Sequence, residues 1–176
     1  MSDSDLNTPL RVKELRAEST DCLSIVFERP LDFTFESGMW MDIRFLSEDL
    51  SIGRTYSFSS SPTEADLMIT FKRGFTRFKK CMESVKPGDV MLITQYGSNG
   101  LTLDRGSHSV FLAGGVGIAP FRSMIKEGID HKHKLDTERI YMNSHTNFPF
   151  KGSLSSGNKQ IAPFACTMLY LGRKGS

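Results

Sequence analysis

Arg54-Thr55-Tyr56-Ser57-Phe58-Ser59-Ser60-Ser61-Pro62 sets an arginine, an aromatic ring and several hydroxyls on one short extended run. Strand side chains alternate, so Arg54 and Tyr56 share one face and Ser57 takes the other. Downstream, Gly114-Gly115-Val116-Gly117-Ile118-Ala119-Pro120 follows an apolar run and puts a proline where a helix should begin. A missing N–H costs nothing in a first helical turn. The two stretches obey different structural rules, and the chain divides between them.

Around the first stretch the pattern is strand-like. Val12 and Leu15, Leu23-Ser24-Ile25-Val26-Phe27, Met39-Trp40-Met41-Asp42-Ile43-Arg44-Phe45, Leu67-Met68-Ile69-Thr70-Phe71-Lys72 and Val90-Met91-Leu92-Ile93-Thr94 are short apolar or β-branched runs. Arg29-Pro30, Glu36-Ser37-Gly38 and Glu48-Asp49 punctuate them as turns. One helix interrupts the series: Phe78, Met82 and Val85 recur at helical spacing before Lys86-Pro87-Gly88-Asp89 stops it. Strands at this spacing with a single short helix predict a closed antiparallel barrel. Trp40 falls on a barrel strand and is expected in the core.

From Ser109 the grammar changes. Val110-Phe111-Leu112-Ala113 reads as a buried parallel strand, Pro120 to His131 as a helix, and Arg139-Ile140-Tyr141-Met142 as a second strand. That is one βαβ unit. Thr167-Met168-Leu169-Tyr170-Leu171 is a candidate third strand, whereas Gly152, Ser155, Ser156 and Gly157 make 151–157 poor helix material. The expected division is residues 1–104 as the barrel and 105–176 as an incomplete α/β domain with an atypical tail. Its short length leaves a truncated or altered reading frame open as the tail's origin.

Composition narrows the classes. A chain of 176 residues with 39% hydrophobic and 24% charged residues is an ordinary globular protein. Net charge is +2, which points to neither nucleic acid nor a membrane surface. The clusters Lys72-Arg73 and Arg77 with Lys79-Lys80 read first as solvated faces. No apolar run approaches the roughly 18 residues that span a bilayer, and the polar start Met1-Ser2-Asp3-Ser4-Asp5 lacks a signal pattern. The expected location is cytoplasmic. Cys22, Cys81 and Cys166 are three, and far apart, so neither a disulfide framework nor an iron–sulfur centre is expected from them. No metal site is expected. His131 and His133, two apart on a helix end, should point their imidazoles away from each other.

The chemistry these residue types offer is specific. A planar guanidinium such as Arg54 suits phosphate oxygens, with charge-assisted bonds worth about 1.5–3 kcal/mol each. An aromatic ring such as Tyr56 adds about 0.5–1.5 kcal/mol against another flat ring. Ser57 offers a hydrogen bond, although alternation alone does not explain how it reaches the ligand bound by Tyr56. Gly115 and Gly117 let backbone approach a pyrophosphate resting on a helix start.

In this order the two stretches closely resemble the flavin and nucleotide motifs of the ferredoxin–NADP⁺ reductase family, over roughly residues 9 to 147. The resemblance implies an antiparallel Greek-key FAD-binding barrel followed by a partial Rossmann-like parallel lobe. It implies FAD held by the run Arg54, Tyr56, Ser57, Phe58 and Ser59, with Tyr56 and Ser57 at the site of hydride transfer. Arg73, Gly74 and Thr76 correspond to a second phosphate-binding element, Thr76 lying one residue sooner than the usual spacing. Tyr96-Gly97 fits the aromatic–glycine pair that ends the family's barrel. Gly114, Gly115, Gly117, Ile118 and Pro120 correspond to the turn for NADH or NADPH, and Ser144-His145-Thr146 to the ribose side. An iron–sulfur or oxygenase component is the implied electron acceptor. The family's Cys-Gly-Pro-Pro-like segment and terminal aromatic are absent, so a flavin-binding module unable to use NAD(P)H productively stays open as a second reading. A half-built parallel sheet is also expected to self-associate through its open edge, or to lose order beyond about Phe148.

Overall fold

The computed structural model describes residues 7–103, 107–133, 137–143, 149–150 and 166–170. Six strands form the first sheet: β1 (Thr8–Ala17), β2 (Cys22–Phe27), β3 (Trp40–Phe45), β4 (Arg54–Ser57), β5 (Leu67–Lys72) and β6 (Val90–Gly97). Their order is β4-β3-β6-β1-β2-β5, with antiparallel pairing throughout. A single antiparallel bridge, Phe58 to Ile69, joins the two ends of the sheet and closes the barrel. The short helix α1 (Arg77–Glu83) lies between β5 and β6.

Leu10, Leu23, Ile25, Phe27, Met41, Ile43, Phe58, Ile69, Phe71 and Met91 fill the barrel, almost wholly excluded from solvent. Burying each such side chain contributes about 1.5–3 kcal/mol. Trp40 departs from expectation. It is only half-buried, its indole N–H donating to Asn99 Oδ1 at 2.9 Å and its ring lying over Gly97. The Asn99 loop thus supplies the indole N–H with a partner at the solvent-facing end of the barrel.

Residues of β2 are buried all along the strand rather than alternately. Leu23, Ile25 and Phe27 point into the barrel, while Val26 joins Met68 of β5 in a second core outside it. That second core also contains Phe111, Ala113, Ile118, Met124, Ile125 and Tyr141. Phe111, Ala113 and Tyr141 come from a parallel sheet, β7 (Ser109–Gly114), β8 (Thr137–Asn143) and β9 (Cys166–Tyr170), ordered β7-β8-β9. Met124 and Ile125 come from the helix α2 (Ala119–Asp130), and Ile118 from the turn just before it. The candidate third strand is present as β9, parallel to β8. Phe111 stacks on Phe121 with ring centroids 4.6 Å apart, fastening α2 to one face of the sheet. On the other face Val110 and Leu112 are 52% and 60% exposed.

The imidazoles of His131 and His133 do not point apart. Their centroids lie 5.3 Å from each other because α2 has already ended at Asp130, and Lys132 turns the chain back at φ +55°. No metal-binding cluster occurs among the described residues. No helix among them is long and apolar enough to cross a membrane. The tail over 151–165 and the end of the expected third strand at Leu171 lie outside the described residues.

Candidate functional site

A cleft of about 300 Å³ opens where the barrel meets the α/β lobe. Its barrel wall is Thr55, Tyr56 and Ser57 of β4 facing Thr70, Phe71 and Lys72 of β5. Counting back from the Phe58–Ile69 bridge, these residues would pair as Ser57 with Thr70, Tyr56 with Phe71 and Thr55 with Lys72. No ladder forms between them. The two strands splay beyond the bridge, and the cleft occupies the gap. Backbone groups on facing strand edges must find partners, so the opened ladder offers donors and acceptors to a flat polar ligand. The splay also explains how Ser57 shares a site with Tyr56, because the cleft runs over the strand's edge rather than along one of its faces.

The opposite wall is Val116, Gly117, Ala119 and Pro120. Gly115 to Ile118 form a 3₁₀ turn that runs straight into α2, with Pro120 in the first helical turn. Gly115 takes φ +52°, a conformation that suits glycine, and its carbonyl accepts from Tyr141 Oη at 2.7 Å. A methyl group added at Gly115 or Gly117 would meet no protein atom within 4 Å. The turn therefore leaves open space beside its backbone. Gly114 is extended and exposed at the strand end, whereas Ile118 is fully buried and anchors the turn in the second core.

The remaining sequence candidates distribute unevenly. Arg54 is exposed; its guanidinium lies 5.6 Å from the Phe78 ring centroid and donates to the neighbouring Gly53 carbonyl. Tyr56 Oη donates to Met82 Sδ at 3.2 Å, and burial pushes its phenol pKa up against the opposing charge of Arg54. Phe58 and Ser59 are wholly buried. The Phe58 ring belongs to the barrel core, stacked on Phe35 at 4.2 Å, and Ser59 Oγ is bonded to Thr70 Oγ1. Their side chains serve the framework, not the cleft.

Arg73 and Gly74 are also engaged internally. Glu83 accepts from the Gly74 N–H and from Arg73 Nη1, each at 3.2 Å. The Gly74 N–H first, with Lys80 and Arg73 adding to it, holds the Glu83 carboxyl below the usual range. Thr76 caps α1, accepting from the Lys79 N–H at 3.4 Å. Ser144, His145 and Thr146 lie outside the described residues.

Lys72 and Lys79, read from sequence as solvated charges, line the cleft. Their signal was present but ambiguous: Lys79 follows the cap Thr76 by three, which turns it back over Gly74. Arg122 and Glu64, far apart in sequence, carried no signal at all, and tertiary structure joins them as a half-buried ion pair.

No protein-family model matches the chain. Among curated proteins it is similar to the sulfhydrogenase 2 subunit gamma of Pyrococcus furiosus, 33% identical over 115 residues. That match takes in 63% of this chain, and the chain spans 37% of the relative's length. Among solved structures it is similar to the flavohem-like FAD/NAD-binding domain of nitric oxide dioxygenase from Vibrio cholerae, with a TM-score of 0.81 at 18% identity over 98% of this chain and 77% of that one. It is likewise similar to a ferredoxin NADP⁺ reductase from Neisseria gonorrhoeae with bound FAD and NADP, at TM-score 0.78, 18% identity, 96% of this chain and 69% of that one. Phthalate dioxygenase reductase gives 0.77 at 17% identity, over 96% and 53%. Barrel, parallel sheet and glycine turn, assembled in this order, are the ferredoxin–NADP⁺ reductase-like fold of FAD/NAD-binding domains.

Proposed function

We propose that this chain binds FAD against its barrel and takes a hydride from NADH or NADPH presented by the α/β lobe, for delivery as electrons to an acceptor protein. The observation that carries the reading is the cleft itself, in which the splayed Tyr56–Ser57 edge faces the Gly117–Pro120 turn. Its lining fits a flavin: the Tyr56 ring, the Ser57 hydroxyl, the Lys79 cation and opened strand edges. The Thr55 and Thr70 hydroxyls are held by Asp42 and by Ser24 and Ser59, and Lys72 pairs with Asp21. FAD, when bound, supplies hydride acceptance and single-electron release.

The protein's part is to hold and orient. Tyr56, its hydroxyl tied back to Met82 so that its ring is fixed, would lie against the flat ring system. Ser57 would offer its hydroxyl to the ring edge where a flavin accepts hydride. The exposed Arg54 guanidinium, stacked on Phe78 of α1 outside the cleft lining, would take the pyrophosphate together with Thr76. Arg73 and the Gly74 N–H take part only if Glu83 releases them. Across the cleft, Gly115 and Gly117 admit the nucleotide's phosphates to the backbone that opens α2. The acceptor class is an iron–sulfur or oxygenase component, in keeping with the phthalate dioxygenase reductase likeness.

A specific observation favours the second reading, a flavin-binding module that cannot use NAD(P)H. The parallel sheet has three described strands, and its Val110–Leu112 face is open to solvent. The same exposed face supports self-association, which sedimentation at several concentrations tests. Visible absorption separates the two functions. Flavin bands that bleach anaerobically with NADH or NADPH establish the reductase. Bands that bleach only with dithionite favour the binding module, and a colourless protein that FAD cannot reconstitute defeats both.

A further inference from the structure

Hydrophobic contact holds the two lobes together, but it is not directional. Val26 and Met68 could meet the α/β core in more than one alignment. Polar contacts from α2 fix the alignment. Glu127 accepts from Ser37 Oγ at 2.6 Å and Asp130 accepts from Thr63 at the far end of the helix, and Arg122 and Ser123 form a clamp at the end nearest the glycine turn. Arg122 Nη1 donates to the Ser59 carbonyl at 2.6 Å and to Glu64 Oε2 at 2.7 Å, and Nη2 donates to Glu64 Oε1 at 2.9 Å. Ser123 Oγ donates to the Ser60 carbonyl at 2.6 Å. A fork-to-fork arginine–carboxylate pair imposes geometry as well as attraction. The pair is largely shielded, with side chains 11% and 27% exposed, and the guanidinium also lies 5.3 Å from the Phe150 ring centroid.

Both jaws of the clamp are rigidly tied to the walls of the cleft. The Ser59 and Ser60 N–H groups donate to the Met68 carbonyl at 2.7 and 3.3 Å, and Ser60 Oγ accepts from the Met68 N–H at 2.9 Å. Those residues directly follow Ser57 and the Phe58 bridge, so they cannot shift without moving the barrel wall. Glu64 is itself fixed, accepting the Ser61 N–H at 2.7 Å. On the other side Arg122 and Ser123 belong to the same helix as Pro120 and begin within a turn and a half of Gly117.

We propose that Arg122 is a positioning residue. Through its pairing with Glu64 and the Ser59 carbonyl it sets the separation between the Tyr56–Ser57 edge and the glycine turn, and hence the approach of nucleotide to flavin. The inference rests on the function proposed above. A displacement of about 1 Å at a reacting centre can cost on the order of a hundredfold in rate, so the clamp acts on the rate of flavin reduction more than on binding of either ligand.

The test uses the full chain loaded with FAD, comparing wild type with Arg122→Met, which keeps much of the apolar stem, and Arg122→Lys, which keeps charge but loses the fork. Three readouts are taken: FAD affinity, the limiting rate of flavin reduction with the half-saturating NADH or NADPH concentration, and hydrogen exchange by mass spectrometry. Arg122→Met is expected to keep FAD affinity within about threefold, to slow the limiting rate about tenfold or more, and to speed exchange in residues 114–121 but not 22–27. Arg122→Lys is expected to recover part of the rate. A wild-type limiting rate in Arg122→Met overturns the proposal. So does an equal loss in both variants with faster exchange throughout the chain, which marks a purely structural residue. If neither nucleotide reduces the wild-type flavin, the functional reading falls, and exchange alone decides the clamp: local loosening of 114–121 sustains it, and unchanged protection overturns it. Should Arg122→Met fail to fold, Arg122→Lys decides on the same readouts.

Discussion

Replacing Gly117 with alanine separates what the glycine turn does for the fold from what it does for a ligand. Gly117 is absent from the positive-φ glycines, and a Cβ built on it meets no protein atom within 4 Å. Alanine is therefore compatible with the native backbone. The unfolded chain loses freedom, which stabilises such a variant by about 0.4–1 kcal/mol. A nucleotide phosphate resting on the turn meets the new methyl group, and overpacking of this kind costs about 1–3 kcal/mol. At 1.4 kcal/mol per tenfold, this predicts a roughly 5- to 150-fold rise in the half-saturating NADH or NADPH concentration. Gly115→Ala is a poorer probe because φ +52° adds strain of about 1–2 kcal/mol whatever the space around it. The assay pairs urea unfolding with anaerobic nucleotide titration of the flavin bands. Unchanged stability with unchanged nucleotide dependence refutes close approach at Gly117. A loss of stability matching the loss of affinity refutes the claim that this glycine is dispensable to the fold.

Gly38→Ala should behave oppositely. At φ +90° its Cβ would run into the Leu101 carbonyl and Met124 Cε, so strain and overpacking together cost about 2–5 kcal/mol, read as a lower urea midpoint; a midpoint equal to wild type contradicts the geometry. Burial tends to raise the Glu64 pKa, but the Arg122 fork and the Ser61 N–H outweigh it and leave the carboxyl below its ordinary 4.5. Glu64 thus contributes stability that is fully present above pH 4.5 and is lost as pH falls through the lowered folded value. Glu64→Gln should flatten the acid limb of the stability curve, and a limb as steep as wild type counts against the pair. Burial pushes the Cys22 thiol up to about 11, so iodoacetamide at neutral pH should leave it unlabelled until urea unfolds the chain, while half-buried Cys81 reacts. Labelling of native Cys22 at the rate of Cys81 contradicts its burial.

Much of the framework was legible without coordinates because its signals are local. Short apolar or β-branched runs between turn residues marked β2, β3, β5 and β6, and an apolar run followed by glycines and a proline marked β7, the turn and α2. Side-chain period and turn chemistry act over a few residues, so one strand or one turn carries its own evidence. Arg54, Tyr56 and Ser57 stood out for the same reason, as chemistry concentrated in four residues. Trp40 and the histidine pair were misplaced where a local rule met a non-local partner: Asn99 drew the indole to the barrel's end, and the chain reversal at Lys132 brought two imidazoles together.

The sequence by itself determined that an antiparallel barrel precedes a parallel βαβ lobe, and which residues offered ring, cation and glycine chemistry. Only the tertiary structure decided that β4 and β5 splay beyond the Phe58–Ile69 bridge, that Lys79 turns into the resulting cleft, that Glu83 occupies Arg73 and Gly74, and that Arg122 grips Glu64 across 58 positions. The physical reason is that strand closure, competition for a hydrogen-bond partner and the meeting of distant charges depend on where other parts of the chain end up. No residue's own type or immediate neighbours encode that.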